Sequence, residues 1–462
     1  MSNWEEYNLG EIGDFNNGVN KSKDSFGHGH PFVNLLDLFD KDRIEKIPKG
    51  LVDVNQDELI RYNLKEGDIL FVRSSVKLEG VGKVSTILKD LENTIYSGFI
   101  IRFRQTNQVL EKIFSSYYLN SEEIRSQIIA KGTLSANSNI NQESLKSIKI
   151  KIPSILVQRQ IATILSTADA VIEKTQAAIA KYKAIKQGML QDLFTRGILT
   201  KDIKYKDKNG TWVERSRNQL RPSYQDAPEL YKESKLGWIP KEWEEKPLED
   251  LTTQIGDGIH STPKYSKNTD YYFINGNNLS DGEIAIGSAL CVTEEEYKKH
   301  FKELNNRTIL YSINGTIGNI AIYKNEKVIL GKSACFITCK SSVNLNYLFF
   351  ILQTFSIKRF YELEMTGSTI KNLSLASVRN TPIAIPKDDK EQEIISERIR
   401  TINNKLQTEQ DFLLKQRHIK AGLMGDLLSG RKRLNCDFGD LHDYHDSVSD
   451  DTSSKSQYSN KS

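Results

Sequence analysis

The residues of this chain that could do chemistry occur as isolated pairs and in loops. His28 and His30 stand two positions apart, and Cys335 and Cys339 stand four apart. A structural zinc site needs about four Cys or His ligands, and neither pair has a second pair at the required spacing. We therefore predict no metal site: the histidines lie in a loop, and the cysteines are buried thiols, with Cys335 in a strand.

Familiar catalytic motifs are absent from the sequence. There is no Gly-x-x-x-x-Gly-Lys-Ser/Thr loop for the phosphates of ATP and no Gly-x-Gly-x-x-Gly turn at the start of a helix. There is also no Asn-Pro-Pro or Asp-Pro-Pro run followed by an aromatic residue, which an amino-methyltransferase would use to hold a flipped base. We therefore predict that the chain is not an enzyme and has neither a catalytic residue nor a cofactor of its own.

Glycine-rich loops with short polar and basic side chains are the chemistry that remains. Glycine lets backbone N–H groups approach phosphates, Lys and Arg neutralise them, and Asn, Arg and Lys can read base edges. Taken singly, such loops are more often plain turns. The predicted DNA contacts are Lys21, Lys23, Arg73, Ser74, Ser75, Lys77, Lys83, Thr133 and Asn137, followed by His260, Ser261, Thr262, Lys264, Tyr265, Asn277, Asn314, Thr316, Asn319, Lys332, Thr369, Lys371 and Asn372.

Loops of this kind need a frame, and the longest helical pattern covers residues 158–194. It contains no proline, and apolar or small residues recur in alternating steps of about four and three. This seam is Ile161, Leu165, Ala168, Ile172, Thr175, Ile179, Tyr182, Ile185, Met189 and Leu193. At about 1.5 Å per residue the helix would be on the order of 55 Å long, so it must pack against another element.

A second seam in the same register begins 234 residues later, since Ile395 follows Ile161 by that interval. The same interval relates the other members of the second seam to the first: Ile399, Ile402, Leu406, Leu413, Leu423 and Leu427. Matching seams on two long helices of one chain predict an intramolecular coiled coil. Two unrelated amphipathic core helices are the alternative.

The stretches before the two helices also repeat each other. Residues 243–251 repeat the Trp-Glu-Glu start of residues 4–12, and the strand-like run 383–386 ends the second stretch as 150–153 ends the first. Strand-like runs and turn residues dominate both stretches, with a helical pattern among them. The sequence therefore predicts a mixed α/β globule, a helix, a second globule and a second helix.

Composition and charge fit an ordinary globular chain, with 9% aromatic and 27% charged residues. The net charge is +4, but residues 434–462 contain six Asp and two Lys, so this tail carries −4 and the rest +8. The tail is typical of a disordered acidic extension. The start of the chain lacks a signal-peptide pattern, the apolar run 347–352 is too short to span a membrane, and four cysteines favour a reducing cytoplasm.

Several motifs together resemble the specificity (S, HsdS) subunits of type I restriction-modification systems. They are Glu-Ser-Lys-Leu-Gly-Trp-Ile-Pro-Lys-Glu-Trp at 233–243, Gly-Ile-His-Ser-Thr-Pro at 258–263, Gly-Thr-Ile-Gly at 315–318, Gly-Ser-Thr-Ile-Lys-Asn-Leu at 367–373, and the strand-to-helix junctions in which Pro153 precedes 158–161 and Pro386 precedes 392–395. The resemblance covers residues 4–433. Residues 73–83 are a longer and more charged form of the family's Ser-Gly-Thr-Ile-Gly loop, and the tail lies outside the pattern.

The resemblance implies an α/β (α+β) fold with a two-fold pseudo-repeat: two globular target-recognition domains separated by two long antiparallel coiled-coil helices. The predicted boundaries are 1–153 for target-recognition domain 1, 154–199 for spacer helix 1, 200–235 for a linker, 236–386 for target-recognition domain 2, 387–433 for spacer helix 2 and 434–462 for the acidic tail.

The resemblance also implies a function and partners. Each target-recognition domain would read one half of a split double-stranded DNA sequence, and the helices would set the gap between the halves and dock two methyltransferase subunits. Restriction/translocase subunits would complete the complex in the cytoplasm, away from any membrane. S-adenosylmethionine, ATP and Mg would belong to these partners.

Two other classes of function stay open at this point. The chain could be a coiled-coil scaffold for protein partners without DNA readout, or an enzyme such as a fused methyltransferase-nuclease with an unrecognised site. Within the resemblance, a methylation-only or type II-like system is a further alternative. The bases that are read and their spacing do not follow from the sequence.

Overall fold

The computed structural model describes residues 4–39, 41–132, 138–280, 282–365 and 371–431 of the 462-residue chain. The chain divides into two compact units. Unit 1 comprises the residues up to Thr175 together with those from Phe412 onward, and unit 2 comprises residues 176–411. One part of each long helix therefore belongs to each unit.

Unit 1 consists of short strands followed by a long helix. Its strands are β1 (Glu5–Asn8), β2 (Gly13–Asn17), β3 (Phe26–Val33), β4 (Arg43–Ile44), β5 (Leu51–Val52), β6 (Ile69–Val72), β7 (Ser74–Ser75), β8 (Val84–Ile87), β9 (Ile95–Tyr96), β10 (Ile100–Gln105), β11 (Ser138–Asn139) and β12 (Lys149–Ile152). Its helices are α1 (Leu9–Ile12), α2 (Leu35–Phe39), α3 (Gln56–Tyr62), α4 (Lys112–Tyr118), α5 (Glu122–Lys131), α6 (Gln142–Lys146) and the first part of α7 (Ile155–Thr195).

The main sheet of unit 1 has the strand order β2-β10-β6-β8-β4, in which only β4 and β8 are parallel. The middle strand β6 reads Ile-Leu-Phe-Val and is buried along its whole length, as expected for a strand covered on both faces. A smaller sheet has the order β5-β3-β9. His28 and His30 lie in β3 rather than in a loop, so that prediction was wrong; their strand is irregular, with a register shift between Phe26 and His30.

Unit 2 repeats this plan. Its strands are β13 (Ile203–Lys206), β14 (Trp212–Arg215), β15 (Tyr231–Ser234), β16 (Gly237–Pro240), β17 (Trp243–Pro247), β18 (Thr252–Asp257), β19 (Tyr272–Ile274), β20 (Leu279–Ser280), β21 (Glu283–Ile284), β22 (Leu290–Cys291), β23 (Thr308–Ser312), β24 (Ile320–Ile322), β25 (Val328–Leu330), β26 (Ala334–Cys339) and β27 (Pro382–Pro386). Its helices are α8 (Glu294–His300), α9 (Leu345–Ile351), α10 (Phe355–Glu364), α11 (Leu375–Arg379) and the first part of α12 (Asp389–Leu428).

The sheets of unit 2 correspond to those of unit 1. The order β18-β26-β23-β24 matches β2-β10-β6-β8, and β22-β19-β25 matches β5-β3-β9, including one parallel pair in each. Strand β17 pairs with β27 as β1 pairs with β12. The predicted mixed α/β pseudo-repeat is therefore confirmed.

The range 200–235, predicted as a linker, contains the antiparallel hairpin β13–β14 and begins a second hairpin, β15–β16. Because Tyr231 pairs with Pro240, the boundary predicted between residues 235 and 236 falls inside this hairpin. The segment is anchored through Arg221, whose side chain is 5% exposed and forms ion pairs with Glu391 and Glu242. It is therefore a packed part of unit 2.

The long helices pack against each other in opposite directions. In unit 2, Ile198 N just beyond the end of α7 donates to Glu391 near the start of α12 at 2.8 Å, and Tyr182 lies under the Lys405 ammonium at 5.1 Å. In unit 1, Asp169 pairs with Lys420 at 2.5 Å. As the residue number of the contacting residue falls along α7, the residue number of its partner on α12 rises, as predicted for an antiparallel coiled coil.

Buried seam residues join the helices to the globular part of each unit. In unit 1, Ile161, Leu165 and Leu427 share a core cluster with Leu9 and other residues of the globule. In unit 2, the shared cluster contains Leu193, Ile395, Ile399, Trp243 and Tyr347. The cores therefore hold the helices and the globules together.

The predicted seam fails at one position, because Ile185 is 38% exposed. Neighbouring seam residues such as Tyr182 and Met189 are half-buried. Two packed helices shield only a narrow stripe of each other. The seam residues Leu193, Ile395 and Ile399 are buried more fully, and they share a core cluster with the globule of unit 2. After each helix a glycine with positive φ follows, Gly197 at +67° and Gly430 at +68°, which is a common way for helices to end.

Helix α7 also contains an 18-residue window with a mean hydropathy of 1.2, of which 22% is buried. The expectation from the sequence concerned only the shorter apolar run 347–352. By length and composition alone such a helix could cross a membrane, but core helices pass the same test. In unit 1 this helix carries Asp169, which is held by Lys420. The predicted acidic tail, 434–462, lies outside the described residues.

Candidate nucleic-acid interface

Hydrogen bonds bring the predicted loops of unit 2 together at one end of its main sheet. Ile259 pairs with Gly331, because its N–H donates to Leu330 O at 2.7 Å and its carbonyl accepts from Lys332 N at 2.9 Å. The loop that carries His260 is therefore fixed beside the turn that carries Lys332. Both side chains are exposed.

A second contact set joins the Asn-Gly-Asn-Asn turn to the same place. Ser333 Oγ accepts from Gly276 N at 2.9 Å and donates to Asn275 Oδ1 at 3.0 Å. Asn319 Nδ2 donates to Gly276 O at 3.0 Å. Asn277 in this turn is exposed. The predicted residues Asn277 and Asn319 therefore lie on adjoining loops.

A third contact set joins the loop after β23 to the segment 371–372. Asn314 Nδ2 donates to Asn372 Oδ1 at 3.0 Å, and Gly315 N donates to Lys371 O at 3.0 Å. Thr316 in the same loop is exposed. We call loops 256–265, 275–278, 314–319, 331–333 and 371–372 loop surface 2. Thr369 lies outside the described residues.

The remaining predicted residues of unit 2 extend from this surface. Ser261 and Thr262 are exposed, and Thr293 N donates to Lys264 O at 3.4 Å. Tyr265 is 48% exposed and pairs with Val292. His260 is not free, because its Nε2 lies 2.8 Å from Asp257 Oδ2. The exposed cations Lys264, Lys332 and Lys371 make this surface suitable for phosphates.

Unit 1 forms a corresponding surface. Val19 pairs with Ser97, Arg73 N donates to Phe99 O at 2.8 Å, and strand β7 pairs with β11. The Arg73 guanidinium donates to Gly98 O at 3.2 Å. We call loops 18–23, 73–83, 97–99 and 138–139 loop surface 1. It includes the predicted residues Ser74 and Ser75. Thr133 and Asn137 lie outside the described residues.

Two predicted cations of unit 1 have internal partners. Lys21 forms an ion pair with Glu58 at 2.7 Å, and Lys83 donates to the carbonyl of Phe39. Lys23 and Lys77 are exposed. Of these four predicted lysines, two are therefore exposed to solvent and two are bonded to other groups of the protein.

The two surfaces share one backbone register. Val72 is paired with Ile100 in unit 1 as Ser312 is paired with Ala334 in unit 2. The next residues out make the same backbone bond, because Arg73 N donates to Phe99 O and Ile313 N donates to Ser333 O. Phe99 in unit 1 therefore occupies the place of Ser333 in unit 2.

The loops of this shared register differ in length. The loop is closed in unit 1 by Gly82 N donating to Val72 O at 2.7 Å, and in unit 2 by Gly318 N donating to Ser312 O at 3.1 Å. The segment enclosed is 73–81 in unit 1 and 313–317 in unit 2. The longer, more charged first loop expected from the sequence is thus a true insertion within a shared scaffold.

Glycine is required at one equivalent position in both units. A Cβ at Gly18 would lie 2.2 Å from Ser97 O, and a Cβ at Gly258 would lie 1.9 Å from Leu330 O. Real side chains do not approach a backbone oxygen so closely. These glycines allow two loops to cross in contact, which brings their neighbours onto one surface.

The sequence did not identify the apolar side chains of loop surface 1. A cleft of about 680 Å³ lies between α2 and the loop after β6, lined by Leu35, Phe39, Ser74, Ser75, Val76, Lys77, Glu79, Gly80, Lys83 and Phe99. Val76 is 85% exposed and Phe99 is 56% exposed. In the sequence, Val76 stands among polar residues, whereas Phe99 begins an apolar, strand-like run.

The described residues contain no group of three or more His, Cys, Asp and Glu side chains placed to hold a metal ion. Cys335 and Cys339 are buried in β26, as predicted. Burial raises the pKa of the Cys339 thiol to about 12, and burial also raises the pKa of Cys335. Both thiols are therefore protonated at neutral pH and poor nucleophiles.

Comparison with known proteins places this arrangement in a family. The model of the type I restriction modification DNA specificity domain matches residues 1–182 and 240–415. The chain is 24% identical over 438 residues to the protein named type I restriction enzyme MjaX specificity subunit of Methanocaldococcus jannaschii, covering 93% of this chain and 94% of that one. It is 28% identical over 198 residues to the EcoKI specificity subunit of Escherichia coli K12, covering 40% of each.

A solved structure has the same fold. The S subunit of a type I restriction-modification system from M. genitalium is 14% identical, with a TM-score of 0.52 over 92% of this chain and 96% of that one. The family model is matched twice, once in each unit's globule and adjoining helix, which agrees with the internal repeat. The chain therefore belongs to the type I restriction modification DNA specificity domain family.

Proposed function

We propose that this chain is the sequence-specific DNA-binding subunit of a type I restriction-modification complex, in which each unit reads one half of a bipartite target. The observation that carries this proposal is the pair of loop surfaces built at one register with different side chains. A duplicated scaffold with equal surfaces would read the same bases twice. Arg73 and Phe99 against Ile313 and Ser333 favour two different half-sites.

The chemistry of the loop surfaces supports DNA as the ligand. Exposed Lys264, Lys332 and Lys371 can neutralise phosphates, and exposed Asn277 and Thr316 offer hydrogen bonds to base edges. We assign to these surfaces the predicted contacts that lie among the described residues. His260, Lys21 and Lys83 would have to release their internal partners before contacting DNA.

The two long helices would set the number of base pairs between the halves and dock the methyltransferase subunits. Support for docking comes from two apolar side chains of α12 that unit 1 leaves exposed, Phe412 at 43% and Ile419 at 42%, which lie on the same side of the helix because they are seven residues apart. Exposed apolar side chains close together on one helix are typical of a surface that a partner covers.

On this proposal the chain itself performs no reaction. Methyl transfer would use S-adenosylmethionine bound by the methyltransferase subunits, and restriction/translocase subunits would use ATP and Mg. The complex would act in the cytoplasm. A methylation-only or type II-like system would use this subunit in the same way.

The test is selection of duplexes from a random pool by the chain together with its methyltransferase subunits. We expect two short sequences at a fixed separation, and binding that weakens steeply as salt rises. Enrichment of one continuous sequence, or of none, would contradict bipartite reading.

A protein scaffold without DNA readout is the competing function, favoured by the exposed apolar residues of α12. It predicts assembly with the methyltransferase subunits but no sequence enrichment by the assembled complex. Methylation by the purified chain alone would instead revive the enzyme hypothesis.

A further inference from the structure

The cleft in loop surface 1 is apolar at its centre and polar at its rim. Helix α2 supplies Leu35 and Phe39, and the loop after β6 supplies Val76. Phe99 comes from the turn before β10. The Lys83 ammonium is fixed at the side of the cleft by its bond to Phe39 O.

Two of these apolar side chains face solvent, and Val76 directly follows Ser75, which pairs with Ser138 between β7 and β11. Val76 and Phe99 are 85% and 56% exposed, and Phe99 O accepts from Arg73 N at 2.8 Å. Neither side chain belongs to a core cluster. An apolar group kept at the surface in a fixed position is typical of a site that a ligand covers.

The surroundings of the cleft favour duplex DNA as that ligand. Ser74, Ser75 and Lys77 line the same cleft, and they are hydrogen-bond donors suited to base edges and phosphates. In the major groove only thymine presents an apolar group, its 5-methyl, next to the O4 acceptor. Apolar side chains beside Lys and Ser donors match that pair of features.

Unit 2 shows that the scaffold does not require apolar residues here. At the position equivalent to Phe99, loop surface 2 has Ser333, whose Oγ hydrogen-bonds to the Asn275–Gly276 turn. The backbone register at this position is the same in both units, but the side chain is apolar in unit 1 and polar in unit 2. The loop that holds Val76 in unit 1, 73–81, is longer than its counterpart 313–317 in unit 2. The shared scaffold therefore does not account for the apolar pair of unit 1.

We propose that Val76 and Phe99 read the 5-methyl group of a thymine in the half-site bound by unit 1, and that this contact distinguishes thymine from the other bases there. This rests on the proposed DNA-binding function and adds a base-specific element to it. Loop surface 2 has no such pair and reads its half-site through hydrogen bonds.

The test replaces each thymine of the selected target in turn by deoxyuridine, which removes only the methyl group. The complex of the full chain with its methyltransferase subunits is titrated with each duplex. Burial of one methyl group predicts that at least one replacement, confined to one half-site, weakens binding about fourfold. In the V76S/F99S variant the same replacement is expected to change affinity less than 1.5-fold, roughly no effect on this scale.

Val76 and Phe99 are largely exposed, so their replacement leaves the core intact. Ile60→Ser is the matched control, since Ile60 is 71% exposed in the same unit but does not line the cleft. With Ile60→Ser the deoxyuridine effect should persist in full.

Three outcomes would overturn the inference while leaving DNA binding established. They are half-sites without thymine, an equal deoxyuridine effect in wild type and V76S/F99S, or loss of methyltransferase assembly as the only effect of that variant. The last result would mean that the cleft seats a protein. Absence of any selected duplex would instead contradict the proposed function itself.

Discussion

In unit 1 a carboxylate on a long helix contacts a tyrosine of the globule and a lysine of the other long helix, whereas unit 2 has an amide at the position of that carboxylate. Asp169 on α7 accepts from Tyr117 at 2.5 Å and pairs with Lys420 on α12 at 2.5 Å. Arg43 of β4 lies over the Tyr117 ring at 4.2 Å and 3.8 Å from Asp169. Burial raises the pKa of Tyr117, and the hydrogen bond to Asp169 raises it further.

In unit 2 the repeat interval of 234 residues puts Asn403 at the position of Asp169 and Lys186 at the position of Lys420. Both line a cleft of about 420 Å³ together with Gln353, Gln407 and other polar residues. Asn403 Oδ1 is buried and has no hydrogen-bond partner among the residues that the structure describes. The lysine is retained but its carboxylate partner is replaced.

The comparison shows which parts of the repeat are exchangeable. Seam residues, strand register and the crossing at Gly18 and Gly258 are shared, and they fix the backbone. The side chains between globule and long helices, at Asp169 and Asn403, differ in charge between the two units, and those on the loop surfaces differ in polarity. A scaffold of this kind can change the side chains that each loop surface presents without changing how the loops are held.

The packed segment before β17 is a further difference. Its Arg221 is 5% exposed and paired with Glu391, which is 3% exposed. One repeat interval before Glu391 stands Val157, a buried apolar residue of α7. Unit 2 thus uses a buried ion pair where unit 1 uses apolar packing.

The largest effect is expected from breaking this ion pair. Arg221→Met would leave Glu391 buried without its counter-ion, which typically costs about 3–5 kcal/mol. Denaturant unfolding would measure the loss, and hydrogen exchange should place it in unit 2. Lys204→Met is the matched control, because the Lys204–Glu214 pair is largely exposed and such pairs contribute about 0–1 kcal/mol. Equal effects of the two variants would contradict the structural role given to Arg221.

A smaller loss of stability is expected when the ion pairs of Asp169 in unit 1 are removed. Asp169→Asn installs the unit 2 residue and removes the negative charge that faces Lys420 and Arg43. Because Asp169 is 35% exposed, solvent screens the pairs, and we expect a loss of about 1 kcal/mol. Asp192→Asn serves as control, since Asp192 is 46% exposed and pairs only within one helix turn. If both variants unfold at the same denaturant concentration, the ion pairs of Asp169 with Lys420 and Arg43 do not stabilise unit 1.

The smallest effect distinguishes free from paired cations on the loop surfaces. The logarithm of the affinity falls linearly with the logarithm of the salt concentration. Lys332→Met should make this slope less steep by about 0.9, the contribution of one phosphate contact. Lys21→Met should lower it less, because Lys21 is already paired with Glu58. Lys181→Met on the exposed side of α7 should leave the slope unchanged. A larger slope change for Lys21 than for Lys332 would show that the pair with Glu58 opens on DNA.

Much of the frame was predictable because helical seams and repeats are periodic. The seam at Ile161 and Leu165, its copy at Ile395 and Ile399, and the buried Cys335 strand all follow from spacing and residue type. Ile185 was not predictable, since its exposure depends on how far the globule of unit 2 extends along the helix. The histidines of β3 were missed because Gly-His-Gly-His has the composition of a turn.

The sites were less predictable than the frame. Polar loop residues such as Asn314 and Asn372 were identified by composition, but their hydrogen bond joins residues 58 positions apart and required the fold. Val76 and Phe99 were missed because an apolar residue in a sequence is normally assigned to a core. Whether Lys21 faces solvent or Glu58 is likewise a property of tertiary packing.

The most direct test of the central claim is to exchange residues 1–153 for the corresponding stretch of another member of this family and repeat the duplex selection. We predict that one half-site changes to that of the donor while the other half-site and the separation between them stay the same. Methylated-base mapping in cells that carry the exchanged chain would report the same change. Retention of the whole original target, or alteration of both halves, would contradict the assignment of one half-site to each unit.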